Sequence, residues 1–354
     1  MRDRSFESIW STAFEVIRLS SKTIFDPSRL IEETGPTMTH EMIFKPSKRV
    51  VADVAKLLTA FVFVLTIGTL LPTATADPLS ETLDIAYYEG DDFDSEKHRL
   101  DLILQADQPA QATMLWIHGG AWAFGDRKAD MDLARAFARD GIAVANMSYR
   151  LSRGDWRGEE FPSTGVQHPE HIKDVARAFA WLHANAEDYG LDTGRLFVGG
   201  FSAGGHLSAL LAMDERYLAD HDLALSDITA AVPVAGGYDL EAYYQAIEEG
   251  LGEETAIGHV LGVFGPRDGL PEASPLTYLE TASIPMLVLT EGQTADYTKI
   301  FDDAVSATGK TGLIQFSYYN DETHASLVAS LSEEESAARD EMVAYMKSLV
   351  DSDN

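Results

Sequence analysis

The segment with the clearest potential for chemistry is Gly200-Phe201-Ser202-Ala203-Gly204, which has the spacing G-x-S-x-G. It follows an apolar run and precedes a helical pattern, the strand–turn–helix context in which such a serine is a nucleophile. The two glycines lack Cβ, so the strand and the helix can pass close to the turn. The helix then points its N-terminal N–H groups at the serine, where they favour developing negative charge. The sequence predicts Ser202 as a nucleophile; the alternative is a glycine-rich turn with an incidental serine.

A second glycine-rich segment, His118-Gly119-Gly120-Ala121-Trp122, follows the predicted strand 113–117. Consecutive glycines let backbone N–H groups face a substrate oxygen, as in loops of the HGGG type. Taken alone the segment is weak evidence, but the serine motif lies about 80 residues further on. We therefore expect an oxyanion hole, in which two or three N–H groups act, formed by Gly119, Gly120, Ala121 and Ala203.

A nucleophilic serine needs a general base, and the base needs an orienting acid, in the chain order serine, acid, histidine. Four histidines follow Ser202, and His324 comes directly after the last predicted strand, so His324 is the expected base. The acid is expected in the loop after the predicted strand 285–289. Asp296 is the preferred residue there, and Glu291 is the alternative.

Short apolar runs alternate with amphipathic stretches from Asp77 onwards. This alternation predicts a mainly parallel central sheet with helices on both faces. Residues 236–280 break the pattern, so we interpret them as an insertion or small cap, and the long loop 150–168 is also expected near the site. The predicted strands are 83–88, 99–104, 113–117, 142–148, 195–199, 228–235, 285–289 and 314–319, and the predicted helices are 130–140, 170–189 and 333–350.

Composition excludes several function classes. The chain has 354 residues, of which 45% are hydrophobic, enough for one large core and additional sequence. Its formal net charge of −30 disfavours nucleic acid and anionic membrane surfaces as partners. It contains no cysteine, which excludes disulfides, thiolate metal sites, a cysteine nucleophile and a lipidated cysteine.

The N-terminal part has the pattern of a signal peptide. Basic residues precede the uncharged apolar stretch 57–71, and Ala74-Thr75-Ala76 follows with small residues at the cleavage positions. A membrane anchor is the alternative, but the apolar stretch is short for a span of about 20 residues. We expect residues 1–76 to be leader and signal peptide, with Met38 or Met42 as possible starts and cleavage after Ala76. The remaining domain, 77–354, is then expected to be secreted or periplasmic, without stable membrane association.

From residue 83 to residue 350 the chain resembles α/β-hydrolase fold esterases and lipases. It is similar to the hormone-sensitive-lipase-like, kynurenine-formamidase-like and feruloyl-esterase-like branches. Two features depart from the common pattern: Ala121 replaces a third glycine, as in the formamidase-like branch, and the gap from Gly292 to Asp296 is long. The matching segments are 118–122, 148–151, 168–169 with Asp174, 200–206 and 273–275.

The resemblance implies a serine hydrolase that cleaves small-molecule carboxylic esters through an acyl-enzyme, using Ser202, His324 and Asp296. It implies no metal and no cofactor. Two alternatives stay open: hydrolysis of formamides or amides, and a catalytically silent binding protein, which is less favoured because no member of the triad is missing. The sequence leaves open the acyl and alcohol groups, ester against formamide preference, the oligomeric state and the choice between Asp296 and Glu291.

Overall fold

The computed structural model of the protein describes residues 79–152 and 165–351. The predicted leader 1–76, its alternative starts and its cleavage site lie outside these residues. Most of the loop 150–168 also lies outside them, because 153–164 are not described. The chain divides into two units, Met1–Thr73 and Ala74–Asn354, and every described residue belongs to the second.

Eight strands form one sheet at the centre of the described fold. They are β1 (Leu79–Ala86), β2 (Arg99–Gln105), β3 (Ala112–Ile117), β4 (Ile142–Met147), β5 (Leu196–Phe201), β6 (Ala230–Val234), β7 (Met286–Glu291) and β8 (Ile314–Tyr319). Their order across the sheet is β1-β2-β4-β3-β5-β6-β7-β8. β2 pairs antiparallel with β1 and β4, whereas all later neighbours are parallel. The mainly parallel sheet is therefore confirmed.

Helices cover both faces of the sheet, also as predicted. The longer ones are α1 (Met131–Arg139), α2 (Glu170–Asn185), α3 (Ala203–Met213), α4 (Leu240–Leu251), α5 (Ala295–Ala307), α6 (His324–Ser330) and α7 (Ala337–Asp351). Successive side chains of a strand point to opposite faces, and β3 shows this directly. Leu115 and Ile117 lie in one buried core with α2, α3 and α5, whereas Met114 and Trp116 lie in another with α1 and α7.

The insertion 236–280 is helical and contains no strand; all its residues are described. It begins with α4, whose N-cap Asp239 accepts hydrogen bonds from the N–H groups of Glu241 and Ala242. Short helical segments follow at Glu253–Ala256, Ile257–Leu261, Gly262–Phe264, Arg267–Gly269, Leu270–Ala273 and Pro275–Thr281. Outside the insertion, short helical segments occur at Arg127–Asp130, Ala186–Tyr189, Thr193–Arg195, Arg216–Ala219 and Leu225–Asp227.

Several element boundaries differ from the prediction. β5 continues to Phe201 rather than 199, and β7 continues to Glu291 rather than 289. The predicted helix 333–350 begins only at Ala337, and a separate helix, α6, begins on His324. Thr323 fixes that start, because its side chain accepts a hydrogen bond from the N–H of Ser326. Within 79–152 and 165–351, we find no helix long and apolar enough to span a membrane.

Candidate active site

Ser202 occupies a strained turn between β5 and α3. Its backbone angles, φ 56° and ψ −114°, lie in a region that residues with a Cβ rarely adopt. The N–H of Ser202 donates to the carbonyl of Val234 at 2.8 Å, so the turn is tied to the end of β6. This is the strand–turn–helix geometry that projects a serine hydroxyl from the carboxyl edge of a sheet.

Glycine is required on both sides of this turn. A Cβ on Gly204 would lie 1.9 Å from the carbonyl oxygen of Ile117 in the neighbouring strand. A Cβ on Gly200 would lie 2.6 Å from the same oxygen and 2.6 Å from the backbone of Gly204. The spacing of the motif therefore follows from the close packing of β3, β5 and α3, as expected from the sequence.

The predicted oxyanion loop lies against the serine. A Cβ built on Gly119 would be 3.3 Å from the Cβ of Ser202, so the two backbones are adjacent. Gly120 has φ +114°, and a Cβ there would lie 2.3 Å from the carbonyl oxygen of Phe124. Ala121 also has a positive φ, 50°. Within residues 79–152 and 165–351, the N–H groups of Gly119, Gly120 and Ala121 donate to no backbone carbonyl.

The fourth predicted donor is Ala203, the first residue of α3 and a buried one. The first N–H groups of a helix have no carbonyl partner within the helix. The N–H of Ala203 therefore lies at the positive end of the α3 dipole, next to Ser202. Two of the four predicted oxyanion residues, Gly119 and Ala203, therefore lie directly beside Ser202, and Gly120 and Ala121 follow Gly119 in the same loop.

His324 is paired with Glu291. Its Nδ1 lies 2.9 Å from Oε1 of Glu291, whose side chain is fully buried, whereas the imidazole is one-third exposed. The backbone N–H of His324 donates to the side-chain oxygen of Gln293 at 2.8 Å. The ring of Phe201, the residue before Ser202, lies 4.5 Å from the imidazole, centroid to centroid. The imidazole of His324 therefore lies beside the residue that precedes Ser202.

The environment of Glu291 keeps it ionised. Burial alone raises the pKa of this carboxyl group. Hydrogen bonds from His324, from the N–H of Gln293 and from Thr294 oppose that effect and prevail, so its pKa lies below the usual value of 4.5. A carboxylate that stays charged near neutral pH can accept the Nδ1–H of His324 and leave Nε2 free.

Asp296 does not occupy the position predicted for the acid. It is exposed in the first turn of α5, whereas the contact with His324 is made by Glu291, the alternative residue. The reason is the length of β7, which continues through Glu291 in register with Tyr319 at the end of β8. Glu291 thus stands at the carboxyl edge of the sheet, directly across from the chain that leads to His324.

Two other histidines after Ser202 are buried in different surroundings. His206 is bonded through both ring nitrogens, to Trp122 and to the carbonyl of Ala273. His259 lies in the insertion with Nε2 2.6 Å from the hydroxyl of Tyr243. Burial lowers the pKa of His206 to about 3 and that of His259 to about 4. Among the described residues, no group of three or more histidine, aspartate or glutamate side chains has the arrangement of a metal site.

The sheet order, the serine turn after β5 and the histidine after β8 define an α/β-hydrolase. The BD-FAE family model matches residues 100–298, which are 199 of the 354 residues, and the chain belongs to this family. The matched range contains the predicted oxyanion loop, Ser202 and Glu291, and it ends before His324.

Curated relatives include LipM of Mycobacterium tuberculosis, described as a probable carboxylic ester hydrolase. LipM is 32% identical over 200 residues, which are 54% of this chain and 42% of LipM. The isoprenylcysteine alpha-carbonyl methylesterase ICME of Arabidopsis thaliana is 25% identical over 252 residues, 66% of this chain and 55% of ICME. The chain therefore spans about half the length of these relatives.

Among solved structures, Esterase B from Lactobacillus rhamnosis superposes with a TM-score of 0.63. The alignment covers 85% of this chain and 96% of Esterase B, at 17% sequence identity. At this identity the likeness shows a common fold.

Proposed function

We propose that this protein hydrolyses carboxylic esters of small molecules, with Ser202 as nucleophile, His324 as base and Glu291 as orienting acid. The observation that carries the proposal is the 2.9 Å hydrogen bond between His324 and the buried carboxylate of Glu291, beside the strained serine turn. The names of the relatives, which are ester hydrolases, support the same reaction. Compared with the sequence-based expectation, only the acid changes.

In the first half of the reaction, Oγ of Ser202 attacks the ester carbonyl carbon while its proton passes to Nε2 of His324. The carbonyl oxygen becomes an oxyanion and accepts hydrogen bonds from Ala203 and from the loop Gly119–Ala121. Each such preorganised donor lowers the barrier by about 3–4 kcal/mol. The intermediate then expels the alcohol, which takes the proton from His324, and the acyl group stays on Ser202.

In the second half, water attacks the acyl-enzyme as His324 removes its proton. The new oxyanion uses the same donors, and its collapse returns the proton to Ser202 as the carboxylic acid leaves. Glu291 keeps its charge throughout and stabilises the imidazolium that forms twice in each cycle. The steps need only groups of this chain and water.

The nucleophile is tested with the variant Ser202→Ala. We expect ester turnover to fall by about 10⁴–10⁶-fold, because no other hydroxyl replaces the attacking atom. A fluorophosphonate probe should label wild-type protein at Ser202, as read by peptide mass spectrometry, and should not label the variant. Chromogenic esters of increasing acyl length, with N-formylkynurenine beside them, measure the acyl preference and the formamide alternative.

The matched control is Ser306→Ala, an exposed serine on α5. It should keep wild-type turnover and labelling. Turnover by Ser202→Ala equal to that of this control, in a protein with an unchanged circular dichroism spectrum, would contradict the proposed function.

A further inference from the structure

The two glycine-rich motifs end in residues that are bonded to each other. Trp122 closes the oxyanion segment and His206 lies one helical turn after the nucleophile. The indole Nε1–H of Trp122 donates to Nδ1 of His206 at 3.2 Å, and both side chains are buried. Neither group takes part in the reaction steps described above.

Chemistry at both ring nitrogens of His206 fixes its protonation state. The indole of Trp122 can only donate, so Nδ1 must carry a lone pair. The carbonyl of Ala273, 2.8 Å from Nε2, can only accept, so Nε2 must carry the proton. The imidazole is therefore neutral with one defined tautomer, and its burial, which lowers its pKa to about 3, keeps it so near neutral pH.

The oxyanion loop has a strained backbone, so other contacts are needed to hold its conformation. Gly120, Ala121 and Trp122 have positive φ values of 114°, 50° and 58°, two of them at residues with a Cβ. The carbonyl of Trp122 accepts the N–H of Ser152 at 2.8 Å, and its indole packs edge-on against Phe264 with a centroid distance of 4.8 Å. The hydrogen bond from Trp122 to His206 then connects the oxyanion loop to α3, the helix that follows Ser202.

His206 is in turn held in a fixed position relative to Ser202. The backbone N–H of His206 donates to the carbonyl of Ser202 at 3.0 Å, the first helical hydrogen bond of α3. The imidazole thus has a fixed place relative to the serine turn, and Trp122 has a fixed place relative to the imidazole. The spacing between oxyanion donors and the attacking oxygen decides how well the transition state is stabilised.

We infer that Trp122 and His206 are positioning residues, whose hydrogen bond holds the N–H groups of the oxyanion loop at a fixed distance from Ser202. The inference rests on the proposed function, since it concerns the same transition state. It predicts that breaking this bond lowers kcat and leaves KM nearly unchanged, because the oxyanion exists only in the transition state.

Two variants of His206 separate this role from a general packing role. His206→Asn places an amide oxygen near the position of Nδ1, where it accepts the indole N–H, and loses the bond to Ala273. His206→Gln reaches the carbonyl of Ala273 with its amide N–H and loses the acceptor for Trp122. Each variant therefore keeps one of the two hydrogen bonds.

We expect His206→Gln to lower kcat for a p-nitrophenyl ester by about 10–100-fold, with KM changed by less than about threefold. His206→Asn should stay within about fivefold of wild-type kcat, although both variants have lowered melting temperatures. Trp122→Phe keeps a ring but has no N–H, and it should match His206→Gln. Trp181→Phe, on α2, is the control and should keep wild-type kcat.

The outcomes are distinguishable. If wild-type protein neither turns over esters nor reacts with a fluorophosphonate, the proposed function fails and this inference fails with it. If wild-type protein is active and Trp122→Phe and His206→Gln retain wild-type kcat, the inference alone is overturned. Equal losses of kcat in His206→Asn and His206→Gln also overturn it, because they indicate a general packing effect.

Discussion

Glu291 ends β7 with its side chain fully buried and both carboxylate oxygens bonded. Oε1 lies 2.9 Å from Nδ1 of His324, and Oε2 accepts the backbone N–H of Gln293. In Glu291→Gln, the amide oxygen is expected to take the place of Oε2, because the N–H of Gln293 requires an acceptor. The amide NH₂ would then face His324, force the Nε2–H tautomer and leave no base for Ser202.

For this reason we predict that Glu291→Gln lowers kcat by about 10⁴-fold, the size of the equivalent effect in other serine hydrolases. Asp296→Asn, at an exposed site in the first turn of α5, should change kcat by less than about twofold. Steady-state kinetics on one chromogenic ester, with circular dichroism as the check of folding, measures both variants. If Asp296→Asn is inactive and Glu291→Gln is active, the acid that orients His324 is Asp296.

At the scale of the elements, the glycines of the serine turn offer a test of packing. In Gly204→Ala the new methyl would lie 1.9 Å from the carbonyl oxygen of Ile117, so β3 and α3 must separate. We expect a loss of about 3 kcal/mol or more in the free energy of unfolding, because backbone on both sides resists the shift. Urea denaturation followed by circular dichroism gives the value.

Gly250→Ala is the control for Gly204→Ala, because it adds the same methyl group at a position without close neighbours. Gly250 lies near the end of α4, where a Cβ would meet no atom within 4 Å. Alanine loses less backbone freedom on folding than glycine, so this variant should gain about 0.5 kcal/mol. Destabilisation of both variants by similar amounts would contradict the packing argument for Gly204.

Element boundaries explain which parts of the site the sequence could predict. Ser202 and Gly119 lie in motifs whose glycines are required by close backbone contacts, so local pattern and structure agree. The acid depends on where β7 ends, and apolar patterning alone places that end at 289. Glu291 is polar but buried, because it pairs with His324, which begins α6 after the next strand, and a local stretch of sequence does not contain that contact. The available signal was a glutamate that directly precedes Gly292 and lies two residues after the apolar run 285–289.

Two other features of the structure also do not follow from apolar patterning. The start of α6 on His324 depends on the cap formed by Thr323 and Ser326, a local signal that apolar periodicity does not contain. The bond between Trp122 and His206 joins residues 84 positions apart, so only the fold brings them together. The mainly parallel pairing of the sheet was predictable, because it follows from the alternation of strands and helices, whereas the order of the strands was not part of the prediction.

At the scale of the whole molecule, the predicted export is a proposal that protein chemistry can test. Of the 27 basic and 57 acidic residues, nine and eight precede Asp77, so 77–354 carries a net charge of −31. We propose that the exported chain begins at Asp77, after cleavage by a signal peptidase. N-terminal sequencing of protein from the extracytoplasmic fraction should read Asp-Pro-Leu-Ser. An intact leader that remains with membranes would indicate an anchor instead.

Buried neutral histidines predict how stability depends on pH. Burial lowers the pKa to about 4 in His118, His168 and His259, and to about 3 in His171 and His206. The unfolded chain binds protons at these sites near pH 6.5, and the folded chain does not. Between these values the unfolded state holds more protons, so the free energy of unfolding must fall as the pH falls.

We therefore predict a free energy of unfolding that falls only slightly from pH 8 to 7 and declines steeply from about pH 6.5 towards pH 4. Each buried histidine contributes at most about 1.4 kcal/mol per pH unit. Relief of repulsion among the many carboxylates opposes this decline as they become protonated, mainly below about pH 5. Urea midpoints at fixed ionic strength measure the curve.

His206→Asn should be less stable at pH 8 yet show a slope smaller by about 1.4 kcal/mol per pH unit between pH 6 and 5, because one proton fewer is taken up on unfolding. A slope equal to that of wild type would mean that His206 does not stay neutral in the fold.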